Sequence, residues 1–186
     1  MKESLKLYPM KMTKLMFTLL SVLLVAPLCA QRGPAASPEV TIQQMIGNTE
    51  MELIYSRPSL DGRKLSTLVP NGQVWRTGAN ANTKINFDED VKIGGKDLPA
   101  GKYSLYTIPG EEEWIIIINK RKTWGTNYNE NADVLRFTAT PERINRTIET
   151  MSIMMTDFDK NTKNKANIEI AWGNISVKFP VEVFNN

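Results

Sequence analysis

Residues 101–118 read Gly-Lys-Tyr-Ser-Leu-Tyr-Thr-Ile-Pro-Gly-Glu-Glu-Glu-Trp-Ile-Ile-Ile-Ile, and this stretch decides the fold. Tyr103-Ser104-Leu105-Tyr106-Thr107-Ile108 is rich in β-branched and aromatic residues, Pro109-Gly110 enforces a turn, and Trp114 to Ile118 returns as an unbroken apolar run. Pro-Gly between two such runs reads as a hairpin. Four consecutive isoleucines without polar alternation predict a central strand buried on both faces.

Working outward, the rest of the chain alternates at period two, the mark of strands with one buried face. Val40 to Gln44 turns at Gly47-Asn48 and returns through Met51, Leu53 and Tyr55 until Arg57-Pro58. Val74–Thr77 and Lys84–Phe87 follow, separated by Gly78-Ala79-Asn80. Val91-Lys92-Ile93 turns at Gly94-Gly95 and comes back through Leu98. Val134–Phe137, Ile148–Met154, Ile168–Trp172 and Ile175–Val183 supply four more, with breaks at Pro141, at Asp157–Asn167 and at Gly173-Asn174. About ten short strands with frequent turns predict an all-β protein, an antiparallel β-sandwich or jelly-roll-like barrel. At most one short helix is expected, around Leu65–Val69.

The start of the chain predicts a compartment. Lys11 and Lys14 precede an apolar run from Leu15 to Leu28, and Cys29-Ala30-Gln31 follows. That is the layout of a secretory signal peptide over residues 1–30. Its run of about 14 residues is shorter than the roughly 20 needed to span a bilayer. Cys29 raises lipid attachment as an alternative, although Leu28 stands where that processing wants a small residue. Residues 31–38 read as a flexible tether and 39–186 as a single β-sandwich domain, with no transmembrane span once the leader is removed. The expected location is outside the cytoplasm, in the periplasm or cell envelope.

Composition then narrows the chemistry. The leader contains four of the 23 basic residues and one of the 20 acidic ones, so residues 31–186 are electrically neutral. A neutral chain without a basic block has no electrostatic footprint for nucleic acid. There is no histidine, and the one cysteine is Cys29. This removes Ser-His-Asp and Cys-His catalysis, His- or Cys-ligated metals and disulfides. Carboxylate pairs, Ser–Lys or Tyr–Arg chemistry and oxygen-ligated cations remain.

The candidate sites are weighed on residue chemistry. Asn127, Asn129, Asn131 and Asp133 fall at every second position, like the first ligands of a calcium loop, but Ala132 and Thr138 replace its glycine and bidentate glutamate. Asp157, Asp159 and Asn161 fail at Ile168 in the same way, so no cofactor and no metal are expected. Asp61, Asp88 and Asp90 are the carboxylates most open to paired acid–base work. Trp75-Arg76-Thr77-Gly78-Ala79-Asn80 combines an aromatic face, a fixed cation, a hydroxyl and an amide, and follows a second arginine cluster at Arg57 and Arg63. Arginine offers a donor fork for carboxylate or phosphate, and tryptophan a flat apolar face. The candidate ligand site is therefore Arg57, Arg63, Trp75, Arg76, Thr77 and Asn80, with Tyr106 and Trp124 as walls. The competing reading makes Trp75 core and pairs Arg76 with a neighbouring acid.

The same segments resemble one family. Tyr55-Ser56-Arg57-Pro58, Gly62-Arg63, Leu68-Val69-Pro70 and Val74-Trp75-Arg76-Thr77-Gly78-Ala79-Asn80 are similar to the exported Bacteroidota family catalogued as DUF2911. So are Gly95-Lys96, Leu98-Pro99-Ala100-Gly101, Tyr103 through Gly110, Asn119-Lys120, Trp124-Gly125 and Asp133-Val134-Leu135-Arg136. The resemblance covers about Val40 to Val183 and implies a Gram-negative envelope location, but no reaction, ligand or catalytic residue. The expected role is a binding or interaction module whose partner is a small molecule, a glycan or an envelope protein. A carboxylate-dependent enzyme on glycans or envelope polymers, and a structural partner without a pocket, are the alternatives.

Overall fold

A computed structural model describes residues 35–121 and 127–184. The leader, residues 31–34 of the tether and Trp124 lie outside the described residues. Ten strands form two antiparallel sheets: β1 (Glu39–Ile46), β2 (Thr49–Ser56), β3 (Ala79–Phe87), β4 (Val91–Ile93), β5 (Lys96–Leu98), β6 (Gly101–Ile108), β7 (Trp114–Asn119), β8 (Asp133–Ala139), β9 (Pro141–Thr156) and β10 (Lys165–Val183). The six-stranded sheet runs β1-β2-β3-β6-β7-β8 and the four-stranded sheet β5-β4-β10-β9. Helical structure among the described residues is one turn, α1 (Leu65–Leu68), and a 3-10 turn at Glu130–Ala132. No described helix is long and apolar enough to cross a membrane. The β-sandwich expected from periodicity is the fold.

Alternation places Leu53, Ile85, Leu105, Ile116 and Ile118 on the inner face of the larger sheet and Ile153, Ile170, Val177, Phe179 and Val181 opposite them, all buried in one core. Burying large apolar side chains stabilises by about 1.5–3 kcal/mol each. One of the core's hydroxyls, that of Tyr55, bonds across it. Tyr55 Oη accepts from Ile153 N–H at 2.8 Å and donates to Ile153 C=O at 3.1 Å. It thereby joins the two sheets and satisfies backbone groups that would otherwise be orphaned. The isoleucine strand lies between β6 and β8, with Ile116, Ile117 and Ile118 buried, so both of its faces are covered.

Three boundaries differ from expectation. Val74–Thr77 is not a strand: it touches the sheet through a single bridge, Trp75 with Thr107. Gly78-Ala79-Asn80 is not a separator, since β3 begins at Ala79. Gly173-Asn174 does not divide two strands, because β10 runs on through it, with Gly173 at φ +60° opposite the extra residues of β9.

Two irregularities in the ladders build one end of the sandwich. Between Thr83–Leu105 and Trp75–Thr107, β6 advances two residues while the other chain advances eight, looping out Arg76 to Asn82. Between Ala171 and Ile175, β10 advances four residues while β9 runs from Ser152 to Arg143. The released part of β9 pairs instead with the segment after β2: Leu60 N–H donates to Glu149 C=O and Met151 N–H to Pro58 C=O, both at 2.9 Å. Bulges of this kind re-aim side chains and end pairing.

Candidate functional site

The excursion from Trp75 to Asn82 is held in a costly backbone. Thr77 and Asn80 adopt φ +55° and +57°, and for a β-branched threonine this region is an outlier that costs of order 1–3 kcal/mol. Local bonds hold it there. Thr77 is fully buried, its hydroxyl donates to Thr107 Oγ1 at 3.2 Å, and its carbonyl accepts from Thr83 Oγ1 at 2.6 Å. Trp75 exchanges backbone bonds with Thr107 at 2.7 and 2.9 Å, and its Nε1–H donates to Gly78 C=O at 3.1 Å. Its indole stacks on Trp172 at 5.9 Å and meets Trp114 edge-on at 6.2 Å.

Arg76 projects from this frame into a cavity of about 390 Å³, which Arg63, Trp75, Val69 and Trp172 also line. No acidic residue among the described ones lines it. The Arg76 Nε–H is buried and finds no acceptor among the described residues. A buried donor left unpaired costs roughly 1–3 kcal/mol, more for a charged group. Arg63 is anchored differently: its Nε–H donates to Leu60 C=O at 2.8 Å and an Nη2–H to Ser59 C=O at 2.9 Å. Anchoring by neutral carbonyls leaves its charge uncompensated.

The other expected site residues separate from this pocket. Arg57 turns to Met151 C=O at 3.0 Å and Asn80 to Ser37 C=O at 3.1 Å, so both tie loops together rather than line the cavity. Thr77 holds the backbone. Tyr106 is no wall: it alternates with Leu105 and Thr107 and is buried on the opposite face, edge-on to Tyr128 at 5.1 Å. Trp75 satisfies both readings, packing on the core while lining the pocket. Arg76 has no acidic partner among the described residues, contrary to the structural reading of that cation.

The carboxylates do not assemble. Asp88 Oδ1 accepts from Glu50 N–H at 2.7 Å and Asp90 Oδ1 from Ala100 N–H at 2.8 Å, both capping turns near the start of β2. Asp61 lies beyond the other end of β2, its N–H on Glu149 Oε1 at 2.7 Å. Eight strand residues at about 3.3 Å each separate those ends, far beyond the 9.5 Å limit for a glycosidase pair. Asn129 Oδ1 accepts from Asn131 N–H and Asp159 from Asn161 and Thr162, which are turn caps. Among the described residues no three or more His, Cys, Asp or Glu side chains are placed to hold a metal.

One polar cluster escaped the sequence reading. On the outer face of the larger sheet, Asp133 Oδ2 accepts from Tyr128 Oη at 2.5 Å and from Arg136 Nε at 2.6 Å, while Asn119 donates to Asp133 Oδ1 at 2.6 Å. Burial first, then donation to Asp133, pushes the Tyr128 phenol up to about 12, against the opposing pull of Arg136. A phenol whose folded pKa exceeds its unfolded value stabilises the fold below pH ~10 and loses that contribution as pH rises toward 12. Ultraviolet titration should therefore show a tyrosine ionising near pH 12, and Tyr128→Phe should remove that step. Ionisation of every tyrosine below pH 11 in the folded protein would refute it.

Residues 37–181 match the family described as Protein of unknown function (DUF2911). No curated protein and no solved structure matches the chain. The matched span takes in both sheets, the Trp75–Asn80 excursion and the β9 bulge, and with more than half of its length covered the chain belongs to the DUF2911 family.

Proposed function

We propose that this chain is an exported binding module of a Gram-negative, Bacteroidota-type envelope, and that its site holds a small ligand through a carboxylate or phosphate group. One observation supports this above all: a guanidinium whose buried Nε–H has no acceptor among the described residues, in a cavity that indoles and a second arginine line and no described acid does. An anionic oxygen supplies the missing acceptor, and a charge-assisted bond there is about twice as strong as a neutral one. The dispersed carboxylates give the enzymatic alternative no comparable support.

Arg76→Ala tests the reading. Because no described carboxylate pairs with Arg76, its removal strands no buried acid, and the midpoint should shift by less than about 4 °C, or 1 kcal/mol at this size. Titration with galacturonate or inorganic phosphate, followed by tryptophan fluorescence, should show at least about tenfold weaker binding. A drop of about 10 °C, on the scale of a 3–5 kcal/mol loss, or unchanged binding would refute it.

The export proposal rests on the basic-apolar-small pattern ending at Ala30. The envelope form should have the intact mass of a chain starting at Gln31, with or without pyroglutamate. An uncleaved chain, or one heavier by acyl groups on Cys29, would refute it.

A further inference from the structure

We propose that the ligand is an acidic oligosaccharide running from the Trp75–Arg76 pocket past Arg63 into a second cleft; this rests on the anion-binding reading above and names the ligand class. The second cavity, of about 510 Å³, lies on the other side of α1. Lys64, Arg143, Trp114 and Ile175 line it, and Arg63 and Val69 line both cavities. Both volumes fall in the roughly 300–1,000 Å³ range of small-molecule pockets. Among the described residues, three cations face the second cleft against one acid, Glu111, on the exposed β6–β7 turn.

The shared residue is what joins them. Arg63 is fixed by two backbone carbonyls at the junction, so its remaining N–H groups can serve a negative group on either side. Cations in succession, Arg76, Arg63 and Lys64 with Arg143, suit a ligand that repeats its charge rather than a single phosphate. Beside them lie indoles and an aliphatic wall, which match the flat C–H face of a pyranose ring. A uronic acid unit unites that face with one carboxylate, and a chain of them repeats both.

An acidic peptide fits less well. Extended peptides bind by adding a strand to an open edge. Here the β9 wall begins at Pro141, which has no N–H, and the Glu149 carbonyl and Met151 amide are already bonded to Leu60 and Pro58. The β9 bulge that shapes the cleft has therefore used edge groups a peptide would need.

The test compares galacturonate, trigalacturonate and triglutamate by tryptophan fluorescence and calorimetry at one salt concentration. Wild type should bind trigalacturonate at least about tenfold more tightly than galacturonate, because the second contact becomes intramolecular. Arg143→Gln should reduce that ratio below about threefold, and Arg76→Gln should weaken both sugars. Equal affinity for the two sugars, with Arg76→Gln still weakening them, would overturn the extended ligand and leave the single anion pocket standing. Triglutamate binding as tightly as trigalacturonate would overturn the sugar assignment. If galacturonate does not bind, or Arg76→Gln changes nothing, the anion-binding reading itself fails and this inference with it.

Discussion

Gly94→Ala should destabilise the protein by roughly 2–5 kcal/mol, and Gly95→Ala, one residue along the same turn, by only about 1–2. Both glycines have left-handed backbones, at φ +56° and +77°, so both substitutions incur the conformational cost that L-residues meet there. Space separates them. A Cβ on Gly95 would meet nothing within 4 Å, whereas one on Gly94 would lie 2.3, 2.5 and 2.6 Å from three Phe137 ring atoms. That ring cannot easily yield, since it is 9% exposed, belongs to the core cluster and sits edge-on to Phe179 at 5.5 Å. Phe137 comes from β8 of the larger sheet, so the missing side chain at Gly94 lets one sheet close against the other. At about 2–4 °C per kcal/mol, Gly94→Ala should lower the melting midpoint by about 4–20 °C. Equal midpoints for the two variants would show that Phe137 does not lock the turn.

That turn also marks where the sequence can be read and where it cannot. Gly94-Gly95, Gly47-Asn48 and Pro109-Gly110 announce their hairpins because local chemistry alone sets the backbone there. The period-two pattern identifies the strands for a similar reason, since each alternation follows from one buried face. Val74–Thr77 misleads because Trp75 packs against Trp172 and Trp114 without a ladder. A single bridge to Thr107 is a tertiary outcome that no local pattern encodes. Gly173-Asn174 misleads in the opposite direction: glycine there lets a long strand pass the bulge of its neighbour β9 instead of ending it.

The site divides along the same line. Trp75 and Arg76 stood out because the segment joins an aromatic to a cation, and Arg63 because it belongs to a second arginine cluster; all three line the smaller cavity. Arg57, Thr77 and Asn80 share the composition but hold the backbone in place, a distinction that depends on which carbonyl each donor reaches. Tyr106 could not be placed before the inner face of β6 was known. The second cleft left no local trace, because Lys64, Trp114 and Arg143 come from three distant segments. They meet only where β9 leaves β10 and takes up the loop after β2.

Trp172→Ala should have the largest effect of any substitution that links scaffold to site. Trp172 is 4% exposed, packs in the core from β10 and stacks on Trp75 with an interplanar angle of 20°. Its Nε1–H donates to Glu149 C=O at 3.1 Å, the same carbonyl that accepts from Leu60 N–H. One side chain thus braces both the Trp75 excursion and the displaced part of β9. Truncating a buried tryptophan costs about 3–5 kcal/mol, so the midpoint should fall by about 6–20 °C. Where folded protein remains, galacturonate binding should weaken too, because Trp75 loses the stacking partner that sets its ring against the pocket. Trp172→Phe should restore most of the stability by refilling volume, while still lacking the bond to Glu149. A Trp172→Ala variant that melts within about 2 °C of wild type would be inconsistent with losing even 1 kcal/mol. It would mean that β10 braces neither excursion, and that the site's geometry is set within the Trp75–Asn82 segment alone.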